Sequence, residues 1–101
     1  MRVHEVKSWP ISFQAVKDAD KLAEFRRDDR GFEVGDLLLL REYVPTVAEY
    51  GEEAKDYRED EPGYTGETCL VQILHIGCEC IPQGFVLLSV VPIKLVVVGH
   101  A

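Results

Sequence analysis

The chain has 101 residues, which suffice for one domain but are too few for two that each bury a core. Its net charge of −7 excludes the broadly basic surface of a bulk nucleic-acid binder. No apolar run reaches the roughly 18 residues that span a bilayer, and residues 1–15 carry no secretory signal pattern. Three cysteines give no disulfide framework, so we expect a cytoplasmic protein. We also expect that it has no cofactor and no membrane partner.

The first quarter of the chain predicts a strand, a helix and a second strand. Residues 3–7 form the first strand, and Ser8 or Trp9 then caps a helix whose first turn holds Pro10. Trp9, Phe13 and Val16 fall on one helical face, so we expect all three to pack in the core. The helix should end near residues 19–20, and residues 21–27 should form the second strand.

The remainder of the chain is mostly strand. Residues 31–36 predict a turn in which Phe32 and Val34 point inward, while Gly31 and Gly35 provide unusual backbone conformations. Residues 37–44, 65–76 and 85–98 have the composition of strands, the last one bent or divided at Pro92. One helix with about five or six strands predicts a mainly β domain, a small curled sheet or barrel with the helix plugging one end.

A long acidic segment at about residues 45–64 interrupts this pattern. Its residues 49–61 contain seven acidic side chains against two basic ones, a net charge of −5, which leaves −2 for the rest of the chain. We expect a mobile loop with at most a short helix within residues 49–57. The loop is a solvated surface, a nucleic-acid mimic, a shield for a cleft or a contact for a basic protein partner.

Charged side chains gather again in residues 21–36. This stretch holds five candidate ligand-binding residues: Lys21, Glu24, Arg26, Arg27 and Arg30. A guanidinium can grip a phosphate or a guanine edge with paired hydrogen bonds, and a glutamate accepts from an exocyclic amine. In the alternative, structural interpretation, Glu24–Arg26 and Asp29–Arg30 are salt bridges that pin a turn. The residues alone leave both interpretations open.

Other candidate residues lie outside this stretch. Lys7 shares a strand face with Glu5, opposite His4 and Val6, and we place it in a ligand cleft. Tyr64, flanked by glycines in 63-GYTG-66, is a candidate for stacking on a base, and Thr65 offers a hydroxyl. Alternatively, Tyr64 is a hinge that clamps the acidic loop.

The histidines and cysteines give a weaker signal. His4 is a poor candidate for a general base because histidines at strand ends are usually structural. The order His75, Cys78, Cys80 lacks the usual Cys-x-x-Cys spacing and a fourth ligand, so we predict no metal site. Cys69 is expected in the core.

Several segments occur in a recognisable order over residues 3–91. They are 4-HEVK-7, Lys21-x-x-Glu24-x-Arg26, Asp29-Arg30-x-Phe32-x-Val34-Gly35-Asp36, 63-GYTG-66 and 84-GFVLLSV-90. Together they resemble an ASCH-like domain of the PUA-like RNA-binding superfamily, most closely the family catalogued as domain of unknown function thirty-eight-fifty. The resemblance implies a pseudo-barrel of about six strands with the first helix at its mouth. It also implies a ligand cleft between helix and barrel, lined by Lys21, Glu24 and Arg26.

Two positions depart from the family pattern. Relatives usually have glycine at the helix exit, where this chain has Ala19. Some ASCH proteins resemble amidohydrolases of acetylated cytidine nucleosides that use a lysine and a threonine on this strand. Here Lys21 matches, but Glu24 occupies the threonine position, and a carboxylate does not replace an activated hydroxyl.

The resemblance therefore implies a domain that binds RNA or a nucleotide in the helix–barrel cleft. One alternative is an ASCH-type hydrolase of a modified nucleoside or of RNA, with Lys21 and Glu24 as its acid–base pair. The other is a protein-interaction module acting through residues 49–61.

Overall fold

The computed structural model describes residues 1–50 and 63–93, and every structural statement below concerns these residues. They form five strands, one helix of two turns and one single-turn helix. In chain order these are β1 (Val3–Ser8), α1 (Pro10–Lys17), β2 (Ala23–Arg27), β3 (Leu37–Val44), α2 (Val47–Tyr50), β4 (Gly63–Gly77) and β5 (Phe85–Pro92). No helix in these ranges is long and apolar enough to cross a membrane.

The five strands form one curled sheet in the order β1-β3-β4-β5-β2. The β1–β3 pair is parallel and the other three pairs are antiparallel. The register shifts between Arg41 and Tyr43 and between Ile73 and His75, and irregularities of this kind bend a strand. The sheet is thus a half-barrel whose two edges, β1 and β2, are joined in sequence by α1. This confirms the predicted mainly β class and the curled sheet.

The core lies on the concave face of this sheet. Its residues alternate along the strands, as the buried positions of β1 and β5 show, and α1 adds Phe13 and Val16. The buried apolar cluster consists of Val6, Phe13, Val16, Phe32, Leu38, Leu40, Val71, Ile73, Val86, Leu88 and Val90. Cys69 packs against this cluster and is partly buried, close to the predicted core position.

Asp36 fastens the turn before β3 to the first strand. Its carboxylate is buried and accepts hydrogen bonds from His4 Nε2 at 2.9 Å, from the Arg2 backbone N–H at 3.1 Å and from the Glu33 backbone N–H at 3.1 Å. The Asp36 carbonyl also accepts from the Ile73 N–H. The hydrogen bond from His4 is the largest cause that lowers the pKa of Asp36 to about 2. His4 is therefore a structural residue, with its ring edge against Phe32.

Some predicted positions differ in the structure. Val34 was expected to point inward, but its side chain is 63% exposed because the turn closes through Asp36 and the buried Phe32 instead. Trp9 was expected in the core and is 37% exposed, because it precedes α1 as the N-cap residue and lies outside the helical stripe. Gly31 and Gly35 do adopt positive φ, at 62° and 94°, as predicted.

Several predicted boundaries shift by a few residues. Ser8 belongs to β1, and α1 ends at Lys17. Tyr64, assigned above to the acidic loop, lies in β4. The loop residues 51–62 and the predicted strand residues 94–98 lie outside the described residues.

Ala19 occupies the position where a glycine was expected. It has φ of 60°, and its N–H donates to the Val16 carbonyl while the Asp20 N–H donates to the Ala15 carbonyl. This is the left-handed helix ending that glycine favours, since a side chain there costs about 1–2 kcal/mol.

We therefore expect Ala19→Gly to raise the free energy of unfolding. The relief of left-handed strain exceeds the greater entropy of glycine in the unfolded chain, for a net gain of roughly 0.5–1 kcal/mol. Urea denaturation measures the change. Ala15→Gly, inside the same helix, is the matched control and should lose about 0.5–1 kcal/mol. Equal losses in both variants would contradict the assignment of left-handed strain to Ala19.

Asp36 should give the protein a specific sensitivity to acid. Because folding lowers the pKa of Asp36 from 3.8 to about 2, its contribution is complete above pH 3.8 and disappears as the pH falls toward 2. We expect the Asp36→Asn variant to be less stable than the wild type at neutral pH. Between pH 3.8 and about 2 its free energy of unfolding should fall less than that of the wild type. Urea titrations at several pH values test this, with the exposed Asp28→Asn as control. The expectation fails if both variants keep the acid dependence of the wild type.

Candidate functional site

The two edges of the half-barrel face each other, and arginine side chains bridge the gap between them. Arg26 Nη2, from β2, donates to the Lys7 carbonyl of β1 at 2.9 Å, and Arg30 Nη1 donates to the Glu5 carbonyl at 2.7 Å. Glu5 and Lys7 are two residues apart, so their carbonyls point to the same side of the strand. We call this gap between β1 and β2, bridged by side chains, the seam.

Glu24 and Arg26 form a salt bridge at the seam. Both Nε and Nη2 of Arg26 contact the same carboxylate oxygen, Glu24 Oε2, at 2.9 and 2.8 Å. Glu24 is buried, with 3% of its surface exposed. Its other carboxylate oxygen, Oε1, makes no hydrogen bond within the described part of the chain. Asp29 and Arg30 form the second predicted salt bridge, at 3.8 Å and exposed. Both salt bridges of the structural interpretation are therefore present.

A cavity of about 400 Å³ lies between α1 and β2, and we call it the helix–sheet cavity. Its walls are formed by Lys7, Ser8, Trp9, Ser12, Lys21, Glu24, Phe25, Arg26 and Glu49. Lys21 Nζ donates to Ser12 Oγ at 2.8 Å. The buried Ser8 Oγ, like Glu24 Oε1, has no hydrogen-bond partner among the described residues. Two residues of the cavity wall, Ser8 and Glu24, thus carry buried polar atoms without a partner in the described part of the chain.

A second cavity, of about 350 Å³, lies along the seam and is called the seam cavity. It is lined by Glu5, Val6, Lys7, Arg26, Arg27, Asp29, Arg30, Phe32, Arg41 and Tyr64. Lys7 and Arg26 line both cavities, so the two are neighbours with a shared wall.

Aromatic rings support the cations at the end of the seam cavity. The Arg41 guanidinium lies 4.0 Å from the ring centre of Tyr64, and Lys7 Nζ lies 4.1 Å from that of Tyr43. The two tyrosine rings meet edge to face at 5.0 Å. The Tyr43 hydroxyl donates to Glu49 Oε1 at 2.8 Å, a bond that raises the pKa of Tyr43 and lowers that of Glu49. Tyr64 is thereby connected to the start of the acidic segment.

The remaining candidates are placed less centrally. Thr65 Oγ1 donates to Glu42 and lines neither cavity. Arg27 lines the seam cavity with its guanidinium 5.5 Å from the Phe85 ring. Lys21 and Glu24 share the helix–sheet cavity but form no ion pair in the described structure, because each contacts a different partner.

The histidine and cysteine region lies elsewhere. His75 and Cys78 line a separate hollow at the β4–β5 turn, and Cys80 follows as an exposed free thiol. Within residues 1–50 and 63–93 no cluster of three His, Cys, Asp or Glu side chains could hold a metal ion.

Several lining residues were not predicted from the sequence, mainly Ser8, Ser12, Arg41 and Glu49. Ser8 and Ser12 carry no motif, and Ser12 is recognisable only once the first turn of α1 is seen to face Lys21. Arg41 is brought beside Lys7 by the parallel register of β1 and β3, where the two residues are direct partners. The parallel pairing was the missing information.

The fold and these cavities define a small β half-barrel domain with a helix-walled cavity beside a cationic seam. A profile described as "Domain of unknown function (DUF3850)" matches residues 3–90, and the chain belongs to that family. This confirms the family expected from the sequence motifs.

A curated relative is an "Uncharacterized 12.9 kDa protein in GpA 3'region" of Escherichia phage P2. It is 46% identical over 46 residues. The aligned segment spans 46% of this chain and 42% of the phage protein, so the match covers less than half the length of that relative.

Replacing Ser8 tests whether its buried hydroxyl, in the wall of the helix–sheet cavity, lowers the free energy of unfolding of the free protein. Burying a hydroxyl without a partner costs about 1–3 kcal/mol, so Ser8→Ala should raise the free energy of unfolding by about 1 kcal/mol. Ser12→Ala is the matched control. It should lower stability, because a hydrogen bond to a charged group, worth about 1.5–3 kcal/mol, outweighs the roughly 0.5 kcal/mol gained in helix propensity. A clear loss of stability in Ser8→Ala would show that its hydroxyl is satisfied in the free protein.

Proposed function

We propose that the protein binds single-stranded RNA or a nucleotide and accepts one base in the helix–sheet cavity. The observation that carries this proposal is the buried Oε1 atom of Glu24, which has no hydrogen-bond partner within residues 1–50 and 63–93. Glu24 and Ser8, each with a buried oxygen that has no hydrogen-bond partner among the described residues, both line the cavity wall.

A buried carboxylate oxygen without a donor is unfavourable, and a ligand that brings an N–H group would remove that penalty. Arg26 holds the other oxygen through two nitrogens, so the direction in which Oε1 accepts is fixed. The exocyclic amine of a nucleobase is a suitable donor, and acceptance from the cytosine N4 amine is a known glutamate contact with nucleic acids.

The other walls also suit a base. Phe25 lines the cavity and is 51% exposed beside its stacked contact with Phe85 at 5.2 Å, so part of its ring remains for stacking on a base. Lys21, oriented by Ser12, adds a cationic donor. A volume of about 400 Å³ lies within the range of small-ligand pockets. The resemblance to PUA-like RNA-binding domains, which implies a ligand cleft between helix and barrel, supports the same assignment.

The proposal predicts a preference for bases that carry an exocyclic amine. Wild-type protein should bind a fluorescent oligocytidylate of about ten nucleotides more tightly than the matching oligouridylate, measured by anisotropy. Glu24→Gln keeps the side-chain shape but weakens the acceptor, so it should reduce oligocytidylate affinity by about tenfold or more. The fold of the variant is checked by circular dichroism.

The control is Glu33→Gln, which removes the same charge from an exposed residue that lines neither cavity. Since losing a negative charge favours RNA binding in general, a loss confined to Glu24→Gln identifies a specific contact. Equal affinities of wild type and Glu24→Gln, or no binding of either oligonucleotide, would refute the proposal. Release of acetate from acetylcytidine, abolished in Lys21→Ala, would favour the hydrolase alternative instead.

A further inference from the structure

The seam cavity has a charge opposite to that of the whole protein. Five of its lining side chains are basic (Lys7, Arg26, Arg27, Arg30 and Arg41), and two are acidic (Glu5 and Asp29). One of the acidic residues, Asp29, is already paired with Arg30. In a chain of net charge −7, this local excess of cations needs an explanation.

Arg26 and Arg30 have a structural reason to be there, since they bridge the seam. Lys7, Arg27 and Arg41 do not bridge the seam, and each lies instead against an aromatic ring. In the described ranges none of these three forms an ion pair with a carboxylate. Lys7 and Arg41 are moreover direct partners in the parallel β1–β3 register, and like charges on adjacent strands repel.

Within residues 1–50 and 63–93, the Lys7 and Arg41 side chains contact aromatic rings and donate no hydrogen bond. The Arg41 guanidinium lies 4.0 Å from the Tyr64 ring centre and Lys7 Nζ lies 4.1 Å from the Tyr43 ring centre, which orients both groups through attraction to the rings. A cation held by a π face keeps N–H groups free for an oxyanion. The rings thus position the two charges without forming an ion pair with them, and the Glu49 carboxylate lies close enough to Lys7 to interact with its charge.

The shared wall connects this cavity to the base site. Lys7 and Arg26 line both cavities, so a ligand with its base in the helix–sheet cavity can place an attached group in the seam cavity. An anion there would relieve the repulsion between Lys7 and Arg41 and accept hydrogen bonds from both.

We infer that the seam cavity binds the phosphate group of the same ligand, so that the protein recognises nucleotides in preference to nucleosides. This inference rests on the proposed function for its base site. The phosphate is the terminal monoester of a free nucleotide or the diester of an RNA strand, and the experiment below separates these two sources.

The test compares cytidine, cytidine 5′-monophosphate and a cytidylyl-cytidine dinucleotide by calorimetric titration. Wild-type protein should bind at least one phosphate-bearing ligand about tenfold more tightly than cytidine. If the monophosphate binds more tightly than the dinucleotide, the seam cavity binds the phosphate monoester of a free nucleotide. If the dinucleotide binds more tightly, the cavity binds the phosphodiester of an RNA strand.

Arg41→Gln should remove most of this phosphate preference while leaving cytidine affinity unchanged. It should also reduce the slope of log affinity against log salt by about 0.7 for a strand. Lys17→Gln, which removes one exposed cation that lines neither cavity, is the matched control and should change neither quantity.

The outcomes separate the two proposals. If Glu24→Gln abolishes cytidine binding but Arg41→Gln leaves the nucleotide-to-nucleoside ratio unchanged, the phosphate assignment is wrong and the base site stands. If inorganic phosphate shifts the amide resonances of Lys7 and Arg41 but no nucleoside binds, the anion site stands and the proposed function is wrong. If neither nucleosides nor phosphate bind, both are wrong.

Discussion

The structure depends on how side chains from the β2 side of the open half-barrel bridge to the edge strand β1. Among the described strands β1 and β2 have one neighbour each, and unpaired carbonyls at an edge need hydrogen-bond donors. Arg26 and Arg30 supply them by donating to Lys7 and Glu5, so side chains replace the ladder that a closed barrel would have. The guanidinium is suited to this because its several N–H donors can hold a carbonyl and a carboxylate together.

This bridging determines where the two cavities lie. A seam closed by side chains leaves space on both sides of Arg26, and that space is the two cavities that share this residue and Lys7. Arg26 also holds Glu24 in place, so the geometry of the buried carboxylate depends on the seam. The structural and ligand-binding interpretations of these charges are therefore compatible, since the same salt bridge can pin the edge strand and present an acceptor.

Much of the fold was predictable because it rests on local patterns. The strand at residues 37–44 was predicted with its observed bounds, since a run of leucines passes into an amphipathic segment and the preceding turn has two glycines. The helix was predicted from Pro10 and the spacing of Phe13 and Val16. The predictions that Trp9 and Val34 are buried were wrong because each residue flanks a regular element, where periodicity no longer fixes the direction of a side chain.

The site was less predictable because its contacts join residues that are distant in sequence. Lys21, Glu24 and Arg26 were identified through a family motif, and motif residues on one strand can be located from sequence. The bonds that orient them come from elsewhere: Ser12 for Lys21 and the Lys7 carbonyl for Arg26. Asp36 appeared in the motif without a role, because its partners Arg2 and His4 lie more than 30 residues away in the chain.

The charge distribution sets the kind of affinity this arrangement can provide. With a net charge of −7, the field far from the protein repels a nucleic acid, and only within about a Debye length of the seam do the local cations dominate. Added salt screens the long-range repulsion as well as the short-range attraction, so the two effects partly cancel. Binding at such a site must therefore derive its strength from oriented contacts, namely the Glu24 acceptor, the ring-supported cations and stacking. Under the proposed function, selectivity would depend on the chemistry of one nucleotide more than on the length of the strand that carries it.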